Sequence, residues 1–199
     1  MPQNFVAIDL SHRTIRAAVV EVSLRSAELV AVQAVPRSQE DNDATCLASL
    51  RALLPQQLDS VVVGIGGKRC STRLLEFPIA DPRKVEAAVD FELDGQIPYD
   101  NDDEAASWVA IRRDASSTQV VVAVTPKASL VADIAALSAI GLEPRAVLPA
   151  AGTLPELATP PSDAPVALLA LGESESHFAV THDGLRYLRT LRVGGQDLD

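Results

Sequence analysis

The plan of the first 35 residues returns after residue 165, and this repeat constrains the fold more than any other feature. Val6 to Leu10, Ile15 to Val22 and Leu29 to Val35 are apolar runs, β-branched in the first two, separated by polar or charged stretches. Their connections are too short for helical crossovers, which predicts an antiparallel meander. "VALLALGESESHFAVTHDGLRYLRTLRVGG" gives strand, turn, strand, a "HDG" turn and strand again. In each copy the first strand runs into a turn of small or polar residues. "ATPPSDAP", at 158 to 165, is the one linker-like stretch and precedes the second copy. The chain stops at "GGQDLD", where a helix is expected, so it reads as a fragment cut near an element boundary. Residues 166 to 193 are then expected to expose apolar surface and to self-associate through it.

Between the copies the elements interleave. A helix is predicted from about Asp43 to Leu54, ended by Pro55. "SVVVGIGG" is a continuous apolar strand of the kind covered on both faces. "STRLLEFP" is another strand. Asp81 as N-cap and Pro82 in the first turn start a helix whose apolar stripe is Val85, Val89 and Leu93, with Ala88 filling it. Gly95 and Pro98 stop it. "SWVAIRR" and "TQVVVAVT" form a strand pair around the polar "DASS" turn. A helix follows from Pro126 to Gly141, then the strand "RAVLP" and a short helix from Ala150 to Leu157.

Hydrophobic residues make up 47% of the 199 and aromatics only 4%, which predicts a core of Val, Leu, Ile and Ala. A net charge of −10 argues against nucleic acid, whose phosphates need clustered Lys and Arg, and leaves basic protein surfaces as partners. Cys46 and Cys70 read as two buried thiols, too few for a disulfide framework. No apolar run reaches the ~18 residues of a membrane span, and the N-terminus lacks the basic-then-apolar plan of a signal peptide. These features predict a soluble cytoplasmic domain.

A strand ending in Asp, a polar turn, a three-stranded meander and a second copy resemble the layout of the actin-like ATPase superfamily. Within it, "LEFPIADPRKVEAAVDFELDGQIPYD" resembles the PilM family of pilus assembly proteins and the GspL family of type II secretion proteins. There a short strand and Pro precede an acidic helix ending in a Q-[IL]-P-[FY] step, here Gln96, Ile97, Pro98 and Tyr99. "SAIGLEPRAVLPAAGTL" and "LRVGGQDLD" are similar to their counterparts in these families, and "FELDGQIPYD" is closer to GspL by a small margin. The resemblance implies an α/β, actin-like (ribonuclease H-like) fold of mixed sheets with flanking helices. Residues 1–73 and 141–163 would be subdomain 1A, 74–140 the inserted subdomain 1C, and 164–199 the start of an incomplete second half.

Nucleotide-hydrolysing relatives read Asp-x-Gly at the first turn, where the glycine admits phosphate and the acid holds Mg²⁺ through water. Here Asp9 is present but the glycine position is Ser11, and Arg16 stands where PilM-like proteins often carry Lys. In the second copy Ala170 replaces the acid while Gly172 is kept. The adenosine-binding segment would lie beyond Asp199. Both phosphate turns are therefore degenerate, and neither ATP hydrolysis nor a cofactor is expected. Asp9 is expected to accept N–H bonds of its own turn, as in Asx-turns. A sugar-kinase-like enzyme, the rival class, would need the acid that Ala170 replaces.

"GIGGKRCS" fails as a P-loop. Gly67 precedes Lys68, but Val62 stands five residues before Gly67, and Arg69 follows the Lys where Ser or Thr is required. It reads as a glycine-rich strand exit. His12, His177 and His182 lack metal-ligand spacing, and His182 reads as a surface turn. No catalytic triad can be assembled. Trp108 reads as core or half-buried.

Residues 81 to 104 hold nine acids against Arg83 and Lys84, which is −7 of the total −10. Glu86, Asp90 and Asp94 stack at i+4, with Asp100, Asp102, Asp103 and Glu104 beyond them. The stretch reads either as a solvated face or as a docking surface for a basic partner, where charge complementarity speeds and orients encounter. The GspL resemblance implies a non-catalytic cytoplasmic scaffold on the bacterial inner membrane. It would recruit the secretion ATPase (GspE type), contact other inner-membrane platform proteins, form homo-oligomers, and reach the membrane only through segments outside this chain. The PilM resemblance implies a cytoplasmic protein that binds nucleotide and an N-terminal peptide of the membrane protein PilN.

Overall fold

A computed structural model of the chain describes residues 2–10, 14–37, 43–94, 103–157, 164–182 and 184–195, with the backbone alone at Asp94. The chain divides into two compact units, one of Met1–Gly66 with Leu130–Ala150, the other of Gly67–Ser129 with Ala151–Asp199.

The first unit is built on a five-stranded mixed sheet, order β3-β2-β1-β4-β8. β1 (Gln3–Asp9), β2 (Thr14–Val22) and β3 (Ala27–Pro36) form the antiparallel meander that their short connections require. α1 (Asp43–Leu53) supplies a crossover, so β4 (Ser60–Ile65) returns parallel to β1, and β8 (Pro144–Pro149) is parallel to β4. Registers of Val6 with Val19 and Val61, and of Ile8 with Ala17 and Val63, put the large apolar side chains on one face. Leu47 and Leu50 of α1 and Leu137 of α3 (Lys127–Ser138) cover that face. β4 departs from the sequence expectation. Val61, Val63 and Ile65 are buried, while Val62 and Gly64 are half-buried. β4 sits between two strands, so its backbone is enclosed even though its second face is only partly covered.

The second unit holds two three-stranded sheets, β5-β7-β6 and β11-β10-β9. β5 (Ser71–Phe77), β6 (Glu104–Arg113) and β7 (Thr118–Pro126) are all antiparallel, with β7 in the centre. Val120, Val122 and Val124 of β7 face α2 (Pro82–Asp94) and its Val85, Val89 and Leu93. Trp108 is half-buried in the same cluster. Val121 points the other way, toward Ala179, Leu185 and Leu188 of the second sheet and toward Ala151 and Leu154 of a 3-10 helix at Ala150–Leu157. That second sheet is the repeated meander: β9 (Val166–Leu171), β10 (Ser176–Thr181) and β11 (Leu185–Leu191).

Asp81 caps α2 as its side chain predicts, its Oδ1 accepting from the N–H of Arg83 at 3.0 Å. Gly141, at φ +73°, ends α3, and the Leu142 N–H donates back to the Leu137 carbonyl at 3.0 Å. No described helix is long and apolar enough to cross a membrane.

Candidate functional site

Asp9 ends β1 directly opposite Arg16 of β2. Its carboxylate lies 3.8 Å from the Arg16 guanidinium, and both side chains are substantially exposed, so the pair contributes little stability. The Leu10 N–H donates to the Gly64 carbonyl at 3.0 Å, which ties the start of the turn to β4. Ser11 and His12 lie outside the described residues.

The second turn, between β9 and β10, is closed on itself. The Gly172 N–H donates to the Glu175 carbonyl at 3.0 Å, and the Gly195 N–H donates to the Gly172 carbonyl at 2.8 Å. A Cβ at Gly172 would collide with the Glu175 carbonyl oxygen. The glycine that admits phosphate in nucleotide-binding relatives here admits the chain's own backbone. Ala170 is half-buried against the apolar cluster of the second unit, paired with His177 in the register.

Glu175 is the group that sequence reasoning missed. Its side chain is only 1% exposed. One oxygen accepts from the Gly67 N–H at 2.8 Å, the other from the Lys68 N–H at 2.9 Å. His177 Nε2 lies 3.4 Å from the first oxygen, and its Nδ1 is 3.1 Å from the Thr190 hydroxyl. Successive N–H groups of this kind make an anion-binding concavity. "GIGGKRCS" is therefore an anion cradle after all, and the anion it holds is the chain's own carboxylate. Gly67 is required there because a Cβ would collide with the Thr190 side chain. The only local signal was an acid in a turn, "GESES"; its partner stands 108 residues away.

The acidic stretch divides. Glu86 and Asp90 are exposed on α2, while their neighbours Val85 and Val89 are buried. Phe91, beside them in sequence, is 79% exposed. Asp103 is exposed, whereas Glu104 is half-buried and lines a groove with Lys68, Arg69, Arg73 and Arg192. The Asp94 side chain, Asp100, Asp102 and the Gln96 to Tyr99 step lie outside the described residues.

Among the described residues no group of His, Cys, Asp or Glu is gathered to hold a metal. His182 sits in the β10–β11 turn, its N–H donating to the Gly184 carbonyl and its carbonyl accepting from Arg186 Nε. Cys46 and Cys70 are free and buried. Burial pushes the Cys70 thiol up to about 11, against the opposing pull of a hydrogen bond with the Val124 backbone.

No family model and no curated protein matches the chain. Solved structures do. A chain of the PilM-PilN type IV pilus biogenesis complex superposes with a TM-score of 0.80 at 20% identity, over 96% of this chain. This chain spans only 62% of that one. The cytoplasmic domain of EpsL, an inner-membrane component of the type II secretion system of Vibrio cholerae, matches at 0.67 and 18% identity, with 96% and 71% of the two chains covered. A Bacteroides thetaiotaomicron protein with an actin-like ATPase fold matches at 0.62 and 8% identity, over 96% and 71%. The chain shares the actin-like fold of these structures.

Proposed function

We propose that this chain is a non-catalytic scaffold domain of an inner-membrane secretion platform on its cytoplasmic side, which recruits the secretion ATPase. The observation that carries this reading is the second phosphate turn. Its Gly172 N–H is spent on the Glu175 carbonyl, and Ala170 fills an apolar contact where hydrolysing relatives keep an acid. A fold shared with EpsL and with PilM supports a platform role. In this reading residues 74–140 are the inserted subdomain, the second actin-like half opens near 164, and the scaffold works as a homo-oligomer.

The docking face is the acidic side of α2 with the residues that follow it, of which Glu86, Asp90 and Asp103 are exposed. Exposed charges act over about 8 Å at physiological ionic strength, so they steer encounter more than they deepen affinity. A variant carrying Glu86→Lys, Asp90→Lys and Asp103→Lys should associate with the secretion ATPase roughly tenfold more slowly at low salt. Surface-binding kinetics at low and high salt measure this. An unchanged on-rate would reduce the acids to a solvated face. Phosphate release from Mg-ATP by the chain alone should stay at background.

A second reading, favoured by the higher TM-score of the PilM-PilN match, makes the chain a pilus assembly protein that binds nucleotide and the N-terminal peptide of a PilN-type partner. Titrating that peptide against the chain separates the two: saturable binding selects the pilus reading.

A further inference from the structure

β3 is the last strand on one side of the five-stranded sheet and, at ten residues, the longest strand in it. At about 3.4 Å per residue it offers an edge of roughly 30 Å. The unpaired N–H and C=O groups of an edge are a template for another strand, and natural edges are usually kept short or carry Lys or Pro. β3 has one charged residue, Glu28, and its one proline, Pro36, stands at the last position. Its register slips between Val19 and Val20 of β2, which leaves Val30 as a bulge, and Ala31 to Val35 continue as regular strand beyond it. Among the described residues, the one hydrogen bond to β3 outside its ladder with β2 comes from the Cys46 thiol to the Pro36 carbonyl at 3.8 Å.

The side chains along this edge state what would pair with it. Ala31 and Val35 are half-buried against the core that α1 covers. Leu29, Val30 and Val32 are 60%, 50% and 63% exposed, and Ala34 is exposed too. Register sets Leu29 beside Val20 and Val32 beside Ala18, so the apolar surface continues onto β2. Near the start of β3, Glu28 stands directly opposite Glu21. Both are exposed, and among the described residues neither makes an ion pair or a hydrogen bond. Like charges directly opposite in a ladder are destabilising, and a cation on a neighbouring strand would relieve both.

We propose that the free edge of β3 takes an extended peptide of a partner protein as an added antiparallel strand, apolar at alternate residues and basic at its C-terminal end, where it meets Glu28. Main-chain bonds would give the affinity, and the apolar and basic side chains the choice of partner. The site belongs to the first unit, whereas α2 belongs to the second, and it rests on neither reading of the function. The probe is a short end-blocked peptide alternating Val and Thr, with two Lys at its C-terminal end, titrated into the full chain. Saturable binding is expected, weakening as salt rises. The same peptide N-methylated at its central residues keeps its side chains but loses its main-chain donors, and should bind at least about tenfold more weakly. That arm uses the unaltered chain, so it decides even where a variant folds poorly. Val32→Lys places a charge on the exposed edge and should weaken binding by about tenfold or more. Glu28→Lys should favour a peptide ending in two Glu over the one ending in two Lys. Val131→Lys, on an exposed position of α3, should leave binding unchanged. Absence of binding at millimolar peptide overturns the proposal. So does equal binding of the N-methylated peptide, indifference to Glu28→Lys or Val32→Lys, or equal loss in the Val131 variant. A chain that dimerises, becomes monomeric on Val32→Lys and ignores the peptide also overturns it, because the edge then belongs to a second copy.

Discussion

Glu175 and Asp114 each accept from two backbone N–H groups, and exposure decides what each contributes. Glu175 is buried, so Glu175→Ala would leave the Gly67 and Lys68 N–H groups without an acceptor, at a cost of about 2 kcal/mol or more. Glu175→Gln keeps one acceptor oxygen and should fall between, which urea melts of the three proteins would rank. Asp114 is exposed in the β6–β7 turn. Its Oδ1 accepts from the N–H groups of Ser116 and Ser117, and both serine hydroxyls add to the shell. These bonds, that of the Ser116 N–H foremost, lower its pKa from 3.8 to about 2. The folded value lies below the unfolded one. Its contribution is therefore complete above about pH 3.8 and fades as pH falls toward 2. Asp114→Asn should flatten the stability–pH curve in that window alone, and an unaltered acid limb would refute the assignment. Cys70, buried with its thiol raised to about 11, should react with a thiol reagent at pH 8 only at the rate of opening.

At the scale of elements, what could be read from the sequence was what neighbours in the chain decide. Asp81, Pro82 and the Val85, Val89, Leu93 stripe specify α2 within a few turns, and the helix runs Pro82–Asp94 with those three side chains buried. Short polar links specify both meanders for the same reason. What stayed hidden depends on pairs far apart. Nothing near Glu175 marks Gly67 and Lys68 as its donors, and nothing near Glu104 marks it as part of a basic groove rather than of the acidic face. The stripe itself can be tested. Leu93→Ala should cost about 2 to 5 kcal/mol, because Leu93 is buried in the cluster that α2 forms with its sheet. Asp90→Ala on the same helix should change stability by less than about 0.5 kcal/mol. Equal losses would mean that α2 is held by its charges and not by its stripe.

At the scale of the whole molecule, the question is how apolar surface is shared between interior and solvent. The β9–β11 sheet buries one face, through Leu168, Ala179 and Leu188. On the other, register aligns Leu169 with Phe178, and Leu171 and Leu191 with Ser176. Leu169 is 57% exposed and Leu171 62%, and the Phe178 and Tyr187 rings meet edge to face at 5.8 Å beside them. β9 is also the edge of its sheet. An exposed apolar face ending on an open edge is the surface through which copies of a chain associate. Sedimentation at rising concentration should show self-association that persists at high salt, since apolar contacts are not screened. Leu169→Lys with Leu171→Lys should return the chain to monomer without unfolding it, because neither side chain belongs to the buried cluster. A wild-type chain that stays monomeric throughout would remove this face as the oligomer contact.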